Sequence, residues 1–232
     1  MLVFWDIDGT LLTTGRAGVF AWQEALHAVA AVETSLETFD TRGVPDYGIA
    51  RQLLVTYAGL EAPEPALVAR LVREYEDRLP AALHRRVGRV LPNVREILSR
   101  LATMDGACSR LLTGNTRRGA AAKLAHYGLS DLVSDGAFSD GAGDRIAIAQ
   151  AALEHARRSG CDAPLERVYV VGDTPHDVRC GAAIGARTVA VATGGYSLED
   201  LVAVGPWRAV PQLPTPSEFL ALLSRSEVAA DA

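Results

Sequence analysis

Short apolar runs alternate with helical patterns along most of the chain. Residues 2–5 are continuously apolar and rich in strand-forming side chains, which is typical of a buried strand. Further strands are predicted at 108–113, 133–138, 167–172, 187–192 and 208–210. Apolar residues at helical spacing predict helices at 93–104, 117–127, 144–158, 175–184, 198–204 and 216–223. Alternation of this kind predicts an α/β fold, a Rossmann-like parallel sheet with helices on both faces.

One long segment interrupts this alternation after the first strand. It contains no strand pattern, and helical spacing predicts helices at 16–32, 47–57 and 64–79. We therefore predict a core domain of residues 1–14 and 89–232 with an inserted α-helical cap domain, residues 15–88. The polar end, residues 224–232, is predicted to fray.

Composition excludes several classes of protein. Apolar residues make up 49% of the chain, enough to bury a core, and the net charge of −5 argues against a nucleic-acid partner. No basic leader precedes the apolar start, and no stretch is long and uncharged enough to span a bilayer. We expect a soluble cytoplasmic protein with no membrane partner. Its oligomeric state stays open between monomer and dimer.

Three cysteines occur, Cys108, Cys161 and Cys180. Their number is odd and their spacing fits no zinc motif, so we predict no disulfide framework. Each is interpreted as a small buried apolar residue in a reducing compartment.

Polar residues follow three of the predicted strands. Asp6 and Asp8 follow the first strand, Thr113 ends the second and Asp173 follows a later one. Ligands of parallel sheets bind beyond the carboxyl ends of the strands, so these side chains should converge. Three converging carboxylates would repel one another without a cation, and they favour a hard divalent ion, Mg²⁺.

These residues also resemble the motifs of a known family. The run Asp6-Ile7-Asp8-Gly9-Thr10 resembles the first motif of the haloacid dehalogenase-like (HAD) superfamily. Residues 111–115 resemble its second motif and residues 172–177 its fourth, in the expected order. The helical insertion resembles the type 1 cap of this superfamily, as found in phosphoglycolate phosphatases.

The resemblance implies a covalent mechanism. It makes Asp6 the nucleophile that forms an aspartyl-phosphate, and Asp8 the acid that protonates the leaving alcohol and then activates water. Members that act as dehalogenases lack an acid at the position of Asp8, so Asp8 favours phosphoryl transfer. The implied magnesium ligands are the Asp6 carboxylate, the Asp8 backbone carbonyl and the Asp173 carboxylate.

The resemblance also implies a phosphate cradle. Phosphate oxygens are expected at the Thr113 hydroxyl and at the backbone N–H groups of Gly114 and Asn115. Thr10 is expected to orient Asp8. Asp177 is expected to support the metal or to position a nearby cation, with a simple helix cap as its alternative role.

The third motif departs from the family pattern, because its usual lysine is missing from residues 139–145. Arg145 is the first candidate for the phosphate-clamping cation, with an exposed helix residue as the alternative interpretation. Lys123 competes, but it lies in the helix after the second motif. In the cap loop 41–46, Arg42 is a candidate contact to an anionic substrate. The loop is equally interpreted as a turn in which Asp46 caps a helix.

The predicted function is a Mg²⁺-dependent hydrolase, a phosphatase that cleaves a phosphomonoester of a small metabolite. A phosphomutase resembling β-phosphoglucomutase would use the same aspartyl-phosphate and is the first alternative. A phospho-receiver or a non-catalytic binding protein is the second. Receiver domains lack a large helical insertion after the first strand, which argues against that class.

Overall fold

The computed structural model describes residues 1–141 and 144–224. Its strands are β1 (Leu2–Trp5), β2 (Leu12–Thr13), β3 (Arg89–Val90), β4 (Cys108–Leu112), β5 (Gly136–Ala137), β6 (Val168–Gly172), β7 (Arg187–Val191) and β8 (Arg208–Val210). Its α-helices are α1 (Gly18–Ala30), α2 (Asp46–Ala58), α3 (Pro65–Ala82), α4 (Val94–Ala102), α5 (Arg117–His126), α6 (Arg145–Arg158), α7 (Pro175–Ala183), α8 (Leu198–Ala203) and α9 (Pro216–Ser224).

Six strands form one sheet in the order β5-β4-β1-β6-β7-β8, with every neighbouring pair parallel. The first strand lies at the centre, flanked by β4 on one side and β6 on the other. From β1, the next strands along the chain are added on the β4 side, and the later strands on the β6 side. The strand order therefore reverses at β1, at the kind of switch point where ligands of open parallel sheets bind. The predicted fold class is confirmed.

Both faces of the central strand are buried. Val3 and Trp5 belong to one apolar cluster, whereas Leu2 and Phe4 belong to another. Successive side chains of a strand point to opposite faces, so a four-residue apolar run supplies two core layers at once. Helices cover both layers, and this explains why the strand shows no polar alternation.

The three helices between Gly18 and Ala82 enclose an apolar cluster of their own. Trp22 of α1 stacks on Tyr75 of α3, with ring centroids 3.8 Å apart. On either side of this helical segment, β2 and β3 pair in an antiparallel ribbon. The division into core and cap stays a prediction, and the separate cluster and the ribbon support it. The ribbon itself was missed, because two-residue strands carry no periodicity.

The cysteine prediction is wrong for two of the three residues. Cys108 opens β4 and Cys161 follows α6, yet their Cα atoms lie 5.9 Å apart and their sulfurs form a disulfide. They are separated by 53 residues, and only the packing of α6 on the sheet brings them together. Cys180 is buried and unpaired, as predicted.

Two expectations fall on residues that the structure does not fully describe. The frayed end predicted for residues 224–232 lies outside the described residues except for Ser224, which ends α9. In the loop before Arg145, residues 142 and 143 are also outside them. Within the described ranges, no helix combines the length and the apolar character of a membrane span.

Candidate active site

The ends of β1, β4 and β6 bring the predicted motifs together. In the strand register, Trp5 lies beside Leu111 on one side and Val171 on the other. The residues that follow these three positions therefore emerge at one edge of the sheet. Asp6, Thr113 and Asp173 are all buried there, each at most 4% exposed.

Three buried carboxylates meet at this edge. Oxygens of Asp6, Asp173 and Asp177 lie within 4.8 Å of one another. Burial, followed by repulsion from Asp177, raises the pKa of Asp6 to about 7. Burial and the Asp6 carboxylate raise the pKa of Asp173 well above its usual range. The cluster is therefore short of positive charge, and an all-oxygen donor set of this kind fits Mg²⁺.

The backbone holds the Asp173 carboxylate closely. A Cβ atom on Gly194 would lie 1.6 Å from Asp173 Oδ2, and one on Gly9 would lie 2.3 Å from the same oxygen. Only glycine lets the chain approach the carboxylate this closely. The Thr10 hydroxyl donates to Asp173 Oδ1 at 3.4 Å and not to Asp8, which it was expected to orient.

Asp177 has two structural roles at once. Its Oδ2 accepts hydrogen bonds from the backbone N–H and hydroxyl of Thr174, which forms the capping box at the start of α7. Its Oδ1 accepts a hydrogen bond from Arg145 Nη1 at 2.8 Å. The carboxylate therefore caps a helix and positions a cation, two roles that were predicted as alternatives.

Arg145 opens α6 and is half-buried, with only 11% of its side chain exposed, so it is not a surface helix residue. Its Nε donates to the carbonyl of Gly43 at 3.1 Å, and its Nη2 lies 4.0 Å from Asp6 Oδ1. Burial lowers the pKa of the guanidinium, but Asp177 and Asp6 outweigh burial and raise it. Arg145 thus faces Asp6 as a permanently charged group.

The second motif forms a compact polar turn. Asn115 Nδ2 donates to Thr113 Oγ1 at 2.8 Å and to Asp8 Oδ2 at 2.9 Å. The Gly114 carbonyl accepts a hydrogen bond from the Ser139 hydroxyl at 2.6 Å. The Asn115 backbone N–H donates to Thr113 Oγ1 at 3.3 Å, so the turn holds its own shape.

Lys123 lies in this site, although its sequence position argued against it. The side chain is buried, and Nζ donates to Asp8 Oδ2 at 2.5 Å and to Asn115 Oδ1 at 2.6 Å. Its neighbours Ala120 and Leu124 belong to the buried face of α5. The position of Lys123 on this buried face of the helix is the sequence feature that could have indicated an inward-facing amine.

The cap loop contacts the core, but not as the sequence suggested. Arg42 forms a hydrogen-bonded ion pair with Asp40 and donates to the Gly195 carbonyl at 2.8 Å. The prediction of Asp46 as a helix N-cap is wrong, because Pro45 occupies that position. Instead, Asp46 accepts a hydrogen bond from the backbone N–H of Thr116 at 2.7 Å, and burial raises its pKa to about 7.

A cavity of about 510 Å³ opens above the carboxylates. Its floor includes Asp6, Asp8 and Asp173, and its cap side includes Val19, Trp22, Ile49 and Tyr75. Arg145 and Lys123 line it on the core side, and Arg42 lies at the rim. The structure thus places every predicted core site residue around one cavity or directly behind it.

Comparison with known proteins gives a consistent picture. Residues 3–182 match the family described as haloacid dehalogenase-like hydrolase. Proteins described as tyrosine-protein kinase PtkA, from Mycobacterium tuberculosis and Mycobacterium bovis, are 32% identical over 210 residues. The match covers 87% of this chain but only 65% of those relatives, so the chain spans less than two thirds of their length.

Solved structures share the fold. CbbY from Rhodobacter sphaeroides, in complex with phosphate, superposes with a TM-score of 0.71 at 18% identity, covering 91% of this chain and 93% of that one. A predicted phosphoglycolate phosphatase from Haemophilus somnus gives a TM-score of 0.70 at 16% identity, with coverages of 95% and 96%. At these identities the likeness establishes the common architecture.

Proposed function

We propose a phosphatase function for this chain, which belongs to the haloacid dehalogenase-like hydrolase family. The proposed reaction is Mg²⁺-dependent hydrolysis of a phosphomonoester of a small metabolite, through an aspartyl-phosphate on Asp6. The observation that carries the proposal is the pair of buried carboxylates, Asp6 and Asp173, with the half-buried Arg145 beside them around the cavity. At this edge of the sheet, Asp6 would be the nucleophile, Asp173 a metal ligand and Arg145 the contact to the anion.

In the proposed first step, an Asp6 oxygen attacks phosphorus in line with the leaving oxygen. The bond between phosphorus and the alcohol oxygen breaks, and that oxygen takes a proton from Asp8. In the second step, water attacks phosphorus, Asp8 takes the proton of the water, and the bond to Asp6 breaks. The products are the alcohol, inorganic phosphate and the enzyme in its starting state.

Magnesium fits the donor set of this site. Asp6 and Asp173 would hold the ion, because the Asp177 oxygens are already engaged by Thr174 and Arg145. The bound ion would neutralise charge between the nucleophile and the phosphate. Arg145 and the backbone N–H groups of the second motif would hold the remaining phosphate oxygens.

The cavity favours a substrate with one phosphate over the bisphosphate of a phosphomutase. Four cationic side chains of the described residues line it, and each already has hydrogen-bond partners. Two of these lie on the cap side: Arg16 donates to the carbonyls of Glu37 and Phe39, and Arg42 pairs with Asp40. A second phosphate would compete with these oxygens for the two guanidinium groups, which supports the proposal of a substrate with one phosphate.

A kinase is the second candidate, because the curated relatives are described as tyrosine-protein kinases. In that case Asp8 would accept a proton from a tyrosine hydroxyl while the phosphoryl group comes from a nucleotide. Incubation with ATP and a tyrosine-containing peptide separates the two functions. Phosphotyrosine formation without phosphate release from monoesters would replace the phosphatase proposal.

The direct test is phosphate release from p-nitrophenyl phosphate with Mg²⁺. A panel of phosphorylated metabolites is then tested in the same way. We expect every metabolite that the protein turns over to release free phosphate. With β-glucose 1-phosphate, an isomerised sugar without free phosphate would overturn the hydrolase proposal in favour of the mutase.

Replacement of Arg145 tests the anion contact. We expect Arg145→Ala to raise KM and to lower kcat, with kcat/KM falling by roughly 10²-fold, because a buried donor to the phosphate is lost. Arg145→Lys should retain part of the activity, since the charge remains but the two-pronged geometry does not. Steady-state kinetics would measure both effects. Arg158→Ala, an exposed cation on the same helix, is the matched control, and an Arg145→Ala variant that behaves like it would exclude the assigned role.

A further inference from the structure

Lys123 has partners that a phosphate clamp would not need. Its amine, on a side chain of α5, donates hydrogen bonds to Asp8 Oδ2 and Asn115 Oδ1. The Arg145 guanidinium instead binds Asp177, and its Nη2 lies 4.0 Å from Asp6. The direct partners of the two cations are therefore different carboxylates.

Both hydrogen bonds to the Asp8 carboxylate converge on one oxygen. Lys123 Nζ donates to Oδ2 at 2.5 Å, and Asn115 Nδ2 donates to the same oxygen at 2.9 Å. These two donors are also joined to each other, because Lys123 Nζ donates to Asn115 Oδ1. The triangle holds the carboxylate by Oδ2, and among the described residues no group donates a hydrogen bond to the other oxygen, Oδ1. The Asp8 side chain is 42% exposed and lines the cavity, so this oxygen can be reached.

The surroundings hold the lysine rigidly. Asp46 of the cap adds a second negative charge beside the amine, and it is anchored to the backbone of Thr116 at the start of α5. Burial lowers the pKa of Lys123, but Asp8 and Asp46 outweigh burial and raise it, so the ammonium stays charged. A buried charge with defined partners on two sides has little freedom to swing toward a phosphate.

We propose that Lys123 is a positioning residue for general acid catalysis: with Asn115 it holds Asp8 Oδ2, so that Oδ1 delivers the proton to the leaving alcohol. This inference rests on the proposed phosphatase function. It predicts that loss of Lys123 lowers kcat/KM most for the substrates whose leaving group most needs a proton. A phosphate clamp or a purely structural role would affect all substrates alike.

The test compares leaving groups. For the parent and for Lys123→Met, kcat/KM is measured with p-nitrophenyl, phenyl and benzyl phosphate, because this parameter reports the steps up to departure of the alcohol. We expect a loss of roughly 10²-fold for benzyl phosphate, an intermediate loss for phenyl phosphate, and at most a few-fold loss for p-nitrophenyl phosphate, whose leaving group needs little protonation. Methionine matches the length of lysine without the charge, and Lys123→Gln is a second variant should the first fold poorly.

Two controls complete the experiment. Arg118→Met removes a cation from the same helix, one that pairs with Glu76 and Asp77 outside the cavity, and should leave the leaving-group dependence unchanged. In a double-mutant cycle, Lys123→Met should add little to the benzyl phosphate loss of Asp8→Asn, because both act on one proton transfer.

Equal losses for all three phosphates, or no loss for any, would overturn the role of Lys123 while leaving the phosphatase proposal intact. If the parent hydrolyses none of the three, the phosphatase proposal itself fails, so the two failures are distinguishable.

Discussion

Asp6→Asn should abolish phosphatase turnover, with kcat falling by roughly 10⁴-fold or more, as expected when the covalent nucleophile of an enzyme is removed. Asparagine keeps the size of the side chain and removes its charge. Steady-state phosphate release would measure the loss. In the parent, acid quenching followed by mass spectrometry of the peptide containing Asp6 should detect the aspartyl-phosphate, and the variant should show none.

The same substitution should not reduce stability. The pKa of Asp6 is raised to about 7 in the folded chain, above its usual 3.8, so its stabilising contribution is complete below pH 3.8 and is lost as pH rises through 7. Without metal, Asp6→Asn should therefore be at least as stable as the parent at pH 8. Its thermal unfolding should also depend less on pH between 4 and 8, as measured in EDTA.

Asp105→Asn is the matched control, because Asp105 is exposed and precedes β4 at the opposite edge of the sheet. Near-normal turnover by Asp6→Asn would refute the nucleophile assignment. A variant that is inactive because it has unfolded is recognised by the same unfolding curves.

Removal of the metal should have the second large effect. We expect EDTA to abolish phosphate release and Mg²⁺ to restore it, because the site joins buried carboxylates that repel one another without a cation. Added Mg²⁺ should also raise the unfolding temperature, because the ion binds the folded chain and not the unfolded chain. This second measurement needs no substrate, so it tests the metal site separately from catalysis.

Asp173→Asn should remove both responses, because it deletes a proposed ligand that lies against the backbone of Gly194. Gly194→Ala should weaken the same responses without replacing a carboxylate, because the added Cβ would stand 1.6 Å from Asp173 Oδ2 and would displace that side chain. Asp105→Asn again serves as the control. Full activity of the parent in EDTA, or an unchanged magnesium response in Asp173→Asn, would contradict the proposed site.

The charges that the proposed function requires at this site reduce the stability of the folded chain. Burial raises the pKa of Asp6 and Asp173, which means that their ionised forms oppose folding in the absence of a cation. Arg145 relieves part of this cost for Asp6, at 4.0 Å. Such unfavourable burial is commonly found where a protein prepares a site for a charged ligand.

Among the site residues, the sequence was most informative where chemistry is local. Asp6 and Asp8 follow a four-residue apolar strand, and the strand register brings Asp173 to the same edge, as the pattern predicted. The prediction was least informative for Lys123. Its distance of 115 residues from Asp8 has no periodic signature, and its position on the helix after the second motif made it the second candidate, after Arg145, for the phosphate-clamping cation.

The cap contacts show the same limit. Asp46 was expected to cap its own helix, yet its carboxylate crosses to the backbone of Thr116, 70 residues away. Arg42 stays a candidate contact to an anionic substrate, and its guanidinium pairs with Asp40, two residues before it. The partner of each of these charged side chains depends on how the loop folds and on how the cap docks on the core. The spacing of residues in a single sequence does not reveal either.

The sequence by itself determined the alternation of strands and helices, the helical insertion and the order of the motifs, because periodicity and turn chemistry act over a few residues. Only the tertiary structure decided which charges are paired. Arg145 pairs with Asp177, and Lys123 pairs with Asp8, because the packing of helices α6 and α5 brings these side chains to the strand ends. Cys108 meets Cys161 for the same reason. The opening acidic motif supplies the carboxylates, and the packed helices determine the cation that each one faces.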